Sequence, residues 1–123
     1  MKKEYVDFAC ALHGYCIRVK EIHWATDINS QHLLCDEVEE TIHDCEDRFM
    51  ECAMGMEGKK FQIGKLLPML PNAKNLSDML DELVQDILEM KEKLNGKKDG
   101  GLFNVLDDLH ELCNKYKYRA TQK

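Results

Sequence analysis

At 123 residues, 44% hydrophobic and 33% charged with a formal net charge of −6, the chain suits a single domain that can bury a core without disulfide staples. The acidic balance argues against nucleic acid as a partner for the body of the protein, because phosphate binding needs a basic footprint. No apolar run approaches a membrane span or a signal-peptide core, so no membrane partner is expected, and the expected location is the cytoplasm, the host's if the protein is viral.

A first helix is expected over residues 3–26, where Tyr5, Ala9, Leu12, Cys16, Val19 and His23 repeat at steps of 4, 3, 4, 3 and 4, the inner seam of a bundle helix. Gly14 in its middle costs about 1 kcal/mol relative to Ala, which the close approach of a neighbour would explain. His13 falls off the seam and reads as exposed. Asp27 to Ser30 is the only break before a second helix over residues 30–53, with Asn29 or Ser30 as its cap. So short a turn makes the two helices antiparallel and brings His23 close to His32. A linker of about twenty residues follows, carrying Pro68 and Pro71, and its length calls for a short helix near residues 62–67.

The third helix is expected over residues 76–94, capped by Asn75 and stopped by Asn95-Gly96, with Leu76, Leu80, Leu83, Ile87, Met90 and Leu94 inward. Its acids Asp78, Asp81, Glu82, Asp86 and Glu89 read as a solvated face. A fourth helix over residues 102–118 turns Leu102, Leu106, Leu109, Cys113 and Tyr116 inward and ends in a small basic tail of Lys115, Lys117, Arg119 and Lys123. Of six cysteines, Cys16, Cys45, Cys52 and Cys113 fall on or beside apolar positions. None forms a C-x-x-C pair, so they read as reduced core thiols. Four helices with a long second connection define an all-α, ferritin-like four-helix bundle of one domain over residues 1–123.

Chemistry concentrates on the second helix. His32, Asp36, Glu40, His43, Asp47 and Glu51 are spaced by 4, 4, 3, 4 and 4 and share one stripe, opposite an apolar stripe of Leu34, Val38, Ile42, Cys45, Phe49 and Cys52. Every residue of the first stripe is a metal-ligand type. Asp36 and Asp47 stand eleven residues, or roughly 16 Å, apart, so one helix cannot close them on one ion. The stripe is, however, a palindrome about the point between Thr41 and Ile42. Against an antiparallel copy, His32 meets Glu51, Asp36 meets Asp47 and Glu40 meets His43, which gives two equivalent His/carboxylate clusters across a two-fold interface. From Glu21 to Asp47 there are nine Asp or Glu residues and no Lys or Arg, a self-repelling face unless a cation sits there.

The His23-Trp24 pair, His32-x3-Asp36 and Asp47-x3-Glu51 resemble the ferroxidase signature of the Dps family, the miniferritins. The resemblance covers the first two helices in motif and the whole chain in helix layout. It implies iron as the metal, zinc as a substitute ion, Fe(II) oxidation by peroxide or dioxygen, iron storage and protection from oxidative stress. It further implies His23, His32 and Asp36 from one subunit with Asp47 and Glu51 from its mate, within a self-assembly extending from the dimer to a dodecameric shell. His32, Asp36, Asp47 and Glu51 would be the catalytic set, with Trp24 nearby as packing or an electron donor. Glu40 and His43 would add a polar pair or a third, central metal position. Departures are the short His23-to-His32 gap, Cys52 in place of the family's Arg, and a basic arm reduced to Lys2 and Lys3, which leaves DNA binding absent or weak. Two rivals stand beside this reading. One is an intrachain di-metal centre on Glu40, His43, Asp107 and His110; the other is a non-enzymatic helical protein that gives the acidic stripe to a structural metal or a protein partner.

Overall fold

In the computed structural model, which describes residues 1–122, four helices form the predicted all-α bundle. They are α1 (Lys3–Ala25), α2 (Asn29–Glu57), α3 (Leu76–Glu92) and α4 (Gly100–Ala120). No helix among the described residues is long and apolar enough to cross a membrane. Lys123, the last residue of the expected basic tail, lies outside the described residues.

The cross-helix pairs fix the topology. His23–Asp36, Lys20–Glu39, His13–Glu46 and Lys2–Glu57 all mirror about the point between Asn29 and Ser30, so α1 and α2 run antiparallel in straight register. Tyr15 on α1 bonds Asp86 on α3, and Arg119 at the end of α4 bonds Glu37 near the start of α2. The start of α3 therefore lies beyond the middle of α1, and α4 returns beside α2. The connection after α2 climbs along α1 to make this possible: Cys10 Sγ donates to the Lys65 carbonyl, Met69 N–H donates to the Cys10 carbonyl, and Arg18 reaches the Ala73 carbonyl. One long crossover between two antiparallel hairpins is the ferritin-like arrangement.

The seams pack as the periodicity predicts. Leu34, Val38, Ile42, Cys45 and Phe49 of α2 are buried against Tyr5, Phe8, Leu12 and Val19 of α1, Leu80, Leu83 and Ile87 of α3, and Leu102, Leu106, Leu109 and Cys113 of α4. Phe49 meets Tyr5 edge-on at 5.9 Å and Phe8 at 4.9 Å, pairings worth about 0.5–1.5 kcal/mol beyond burial.

Four local expectations are corrected. Residues 62–67 hold no helix: Gly64 turns left-handed at φ 91°, the prolines follow, and the segment makes only the isolated turns Lys65 N–H to Gln62 and Leu67 N–H to Lys65 while the Lys65 carbonyl accepts from Cys10 of α1. The second helix runs one turn past Ala53, since nothing before Gly58 breaks it, and Gly58 closes it at φ 65°. The fourth likewise extends at both ends, to Gly100 and Ala120. Neither Asn29 nor Ser30 caps α2; both lie inside its first turn, and the Thr26 hydroxyl accepts from the Ile28 N–H just before it. Asn75 does cap α3, its side chain accepting from the Asp78 N–H at 2.9 Å.

Candidate metal centre

The apolar stripe of α2 faces the core and so turns the opposite stripe outward: His32, Asp36, Glu40, His43, Asp47 and Glu51 are all exposed. The tight α1–α2 turn brings the first three predicted ligands together. The His23 and His32 rings stack with centroids 3.8 Å apart, and His23 Nδ1 lies 3.4 Å from Asp36 Oδ1. That last approach is too poorly aligned for a hydrogen bond, which leaves His23 Nδ1 buried and unpartnered. The His32 ring is held differently. Its Nδ1 is 3.0 Å from the His23 carbonyl oxygen, which can only accept, so Nδ1 carries the proton and Nε2 is left with its lone pair. His23 thus stands against both the His32 ring and the Asp36 carboxylate at one end of α2, although the donor atoms of the three do not all come within 4.8 Å of one another.

Asp47 and Glu51 do not join them. They stand on the same outer face toward the other end of α2, Asp47 beside the connection residues Phe61 and Leu66. Within one chain, Asp47 and Glu51 therefore lie apart from His23, His32 and Asp36. Trp24 is 74% exposed.

Neighbouring helices supply bases that α2 lacks before Arg48. Arg119 donates to both Glu37 oxygens, holding that carboxyl below its usual range, and Lys20 pairs with Glu39 at 3.1 Å. Among the described residues, Asp36, Glu40, Asp44, Asp47 and Glu51 meet no Lys or Arg. The intrachain rival is not assembled: Glu40, His43 and Asp107 are exposed on outer faces, and Asp107 pairs with Lys91.

A second constellation was missed in the sequence. Cys16, His43 and Glu46 present donor atoms within 4.8 Å of one another, and His13 Nδ1 lies 3.3 Å from both Glu46 oxygens. His13 is thus half-buried against a carboxylate, not the free surface residue expected of its place off the seam. The signal was present in the antiparallel register: the mirror that pairs His23 with Asp36 also pairs His13 with Glu46 and Cys16 with His43. Burial and the nearby Glu46 and Glu39 carboxylates push the Cys16 thiol up to about 12. Cys45 and Cys113 are likewise pushed up to about 12, chiefly by burial, and behave as inert core thiols.

The fold is a four-helix bundle with imidazoles and carboxylates along one outer helix face. Within that setting, the chain belongs to DUF5856, a family of unknown function, which it matches over residues 23–120. The match takes in His23 and the whole stripe to Glu51, and leaves His13 and Cys16 outside it. No curated protein and no solved structure matches the chain.

Proposed function

We propose that the protein is a Dps-like miniferritin that oxidises Fe(II) at two equivalent sites, each completed by a second copy of the chain. The observation that carries this reading is the group at the start of α2, where the His23 ring stacks on His32 and its Nδ1 stands 3.4 Å from Asp36 Oδ1. Its missing carboxylates stand at Asp47 and Glu51 on the same face, roughly 16 Å away, where only a two-fold mate could bring them into reach. Exposed apolar residues Ile17, Trp24, Ile28 and Leu33 lie around this end of the hairpin and would be covered by such a mate.

Iron is the substrate. Mixed imidazole and carboxylate donors suit Fe(II), and the hard carboxylate oxygens favour the Fe(III) product, so ligation pulls the oxidation forward. With peroxide as oxidant, two Fe(II) each give one electron, and the peroxide takes both with two protons to leave two waters. His32, tied through Nδ1 to the His23 carbonyl, presents Nε2 to the ion, while Asp36 and the mate's carboxylates neutralise its charge.

Oxidation of added Fe(II), aerobically and with peroxide, tests the reading on the parent and on an Asp36→Ala, Asp47→Ala double variant, with molecular mass measured on the same samples. The parent is expected to be at least a dimer and to oxidise iron well above the buffer blank, and the variant to fall to the blank. Parent and variant both at the blank, or a monomeric parent that oxidises iron, would sink it.

A further inference from the structure

We propose a second metal site, built within one chain between α1 and α2, in which Cys16, His43 and Glu46 hold a divalent ion of the zinc class and the fourth position opens to solvent. It does not depend on the iron reading above.

The donors come from one face of each helix. His43 and Glu46 are three residues apart on α2 and so point the same way, and Cys16 faces them from α1 across the straight register of the hairpin. Their donor atoms already lie within 4.8 Å of one another. A tetrahedral zinc with bonds of about 2.0–2.3 Å needs its ligand atoms about 3.5 Å apart, so closure asks for small side-chain shifts, not for movement of the helices.

Glu46 is the residue that bundle packing alone does not explain. It is only 9% exposed, on a helix where Asp36, Glu37, Glu40, Asp44, Asp47 and Glu51 are open to water. A carboxylate so far from solvent needs a partner, and the sole one it has among the described residues is the His13 ring, whose Nδ1 sits 3.3 Å from both oxygens. His13 is then a positioning residue that holds Glu46 for the ion, in the manner of the outer hydrogen bonds that orient metal ligands.

Donor chemistry selects the ion. One thiolate, one imidazole and one carboxylate form a borderline-soft set that excludes Mg(II) and Ca(II), in contrast to the harder stripe beside it. Thiolate and carboxylate together cancel a charge of two, and the thiol proton leaves to solvent as the ion binds. Three protein ligands leave one position for water, and a cleft of about 370 Å³ walled by Ile17, Lys20 and Trp24 opens next to Cys16 and His43. The site lies seven residues along α2 from Asp36, about 10 Å, so the two can be separated by mutation.

Cobalt(II), titrated into the reduced full-length chain, is the probe. One ion per chain with a thiolate-to-cobalt charge-transfer band, displaced by added zinc, is expected. Cys16→Ser should abolish the band, and His43→Ala and Glu46→Gln should weaken binding by more than about 100-fold. His13→Ala should cost about 10–100-fold, the range of an orienting partner. The Asp36→Ala, Asp47→Ala double variant should keep the band, so that loss of iron oxidation and loss of this site are read separately. A parent without the band, or a band that survives Cys16→Ser, overturns the proposal. Should Cys16→Ser not fold, the parent still decides: zinc must protect Cys16 from alkylation, and equal labelling with and without zinc overturns the site.

Discussion

The two hairpins of this bundle bury their apolar seams alike but treat their acids in opposite ways. In α3 and α4, Asp81 pairs with Lys117, Asp107 with Lys91, Asp108 with Arg48 of α2, and Glu111 with Lys115. Glu82 accepts from the Asn72 and Ala73 N–H groups, and Asp86 accepts the Tyr15 hydroxyl. On the outer face of α2, by contrast, Asp36, Glu40, Asp47 and Glu51 meet no Lys or Arg among the described residues. These acids of the second hairpin hold the chain together, whereas in the first hairpin Glu37, Glu39 and Glu46 are paired within the chain and the outer stripe is left without a base.

The first hairpin therefore owes its stability chiefly to packing. The sharpest place to strike is Gly14, where the crossover lies directly on α1. A Cβ there would overlap the backbone carbonyl of Met69, in the stretch that Cys10 anchors. Backbone cannot yield as a flexible side chain does, so Gly14→Ala should cost about 3 kcal/mol, the upper part of the overpacking range, measured by urea unfolding. A loss under about 1 kcal/mol would mean that the crossover is not seated on α1.

The acids should then respond by hairpin. Glu82→Ala strips the charged acceptor from two backbone N–H groups of the crossover and should cost about 1.5–3 kcal/mol. Neutralising the stripe as Asp36→Asn, Glu40→Gln, Asp47→Asn and Glu51→Gln should leave the metal-free protein unchanged or raise its stability by up to about 1 kcal/mol, through relief of like-charge repulsion at steps of four. Equal losses from the two sets of changes would erase the distinction.

How far the sequence reveals all this depends on the kind of signal. The four helices and their inward seams follow from apolar periodicity, because burial decides them and each residue votes independently. Asn75 as a cap and Gly14 as a close approach were also legible, since each has one dominant physical cause. The crossover was not, because its backbone partners lie on α1 at Cys10 and Arg18, some fifty-five residues away in sequence. Glu82 and Asp86 read as solvated acids for the same reason: their partners are on the crossover and on α1. The His13, Cys16, His43 and Glu46 group was within reach, because a three-residue turn fixes the hairpin register and the register fixes the pairs. Periodicity within one helix ranks faces; only the register between helices assembles sites.

Asp86 offers the smallest effect and the finest probe of the second hairpin. Burial raises its pKa above the ordinary aspartate range, more than the hydrogen bond from Tyr15 lowers it. A group whose folded pKa is raised contributes stability that is fully present below its unfolded pKa and is lost as pH rises through the folded value. Glu37 carries the opposite sign. Its hydrogen bond from Arg119 lowers its pKa, so its contribution is present above the ordinary glutamate range and is lost as pH falls through the folded value. Asp86→Asn keeps an oxygen for the Tyr15 hydroxyl and removes the ionisation. At neutral pH the variant should be slightly more stable than the parent, and the advantage should vanish below about pH 4, where the parent's Asp86 is protonated and equally uncharged. Urea midpoints of both proteins at the two pH values give the answer. A difference that does not change with pH would mean that burial of the charge is not what Asp86 costs the fold, and that its bond to Tyr15 is as comfortable as the surface pairs of its own hairpin.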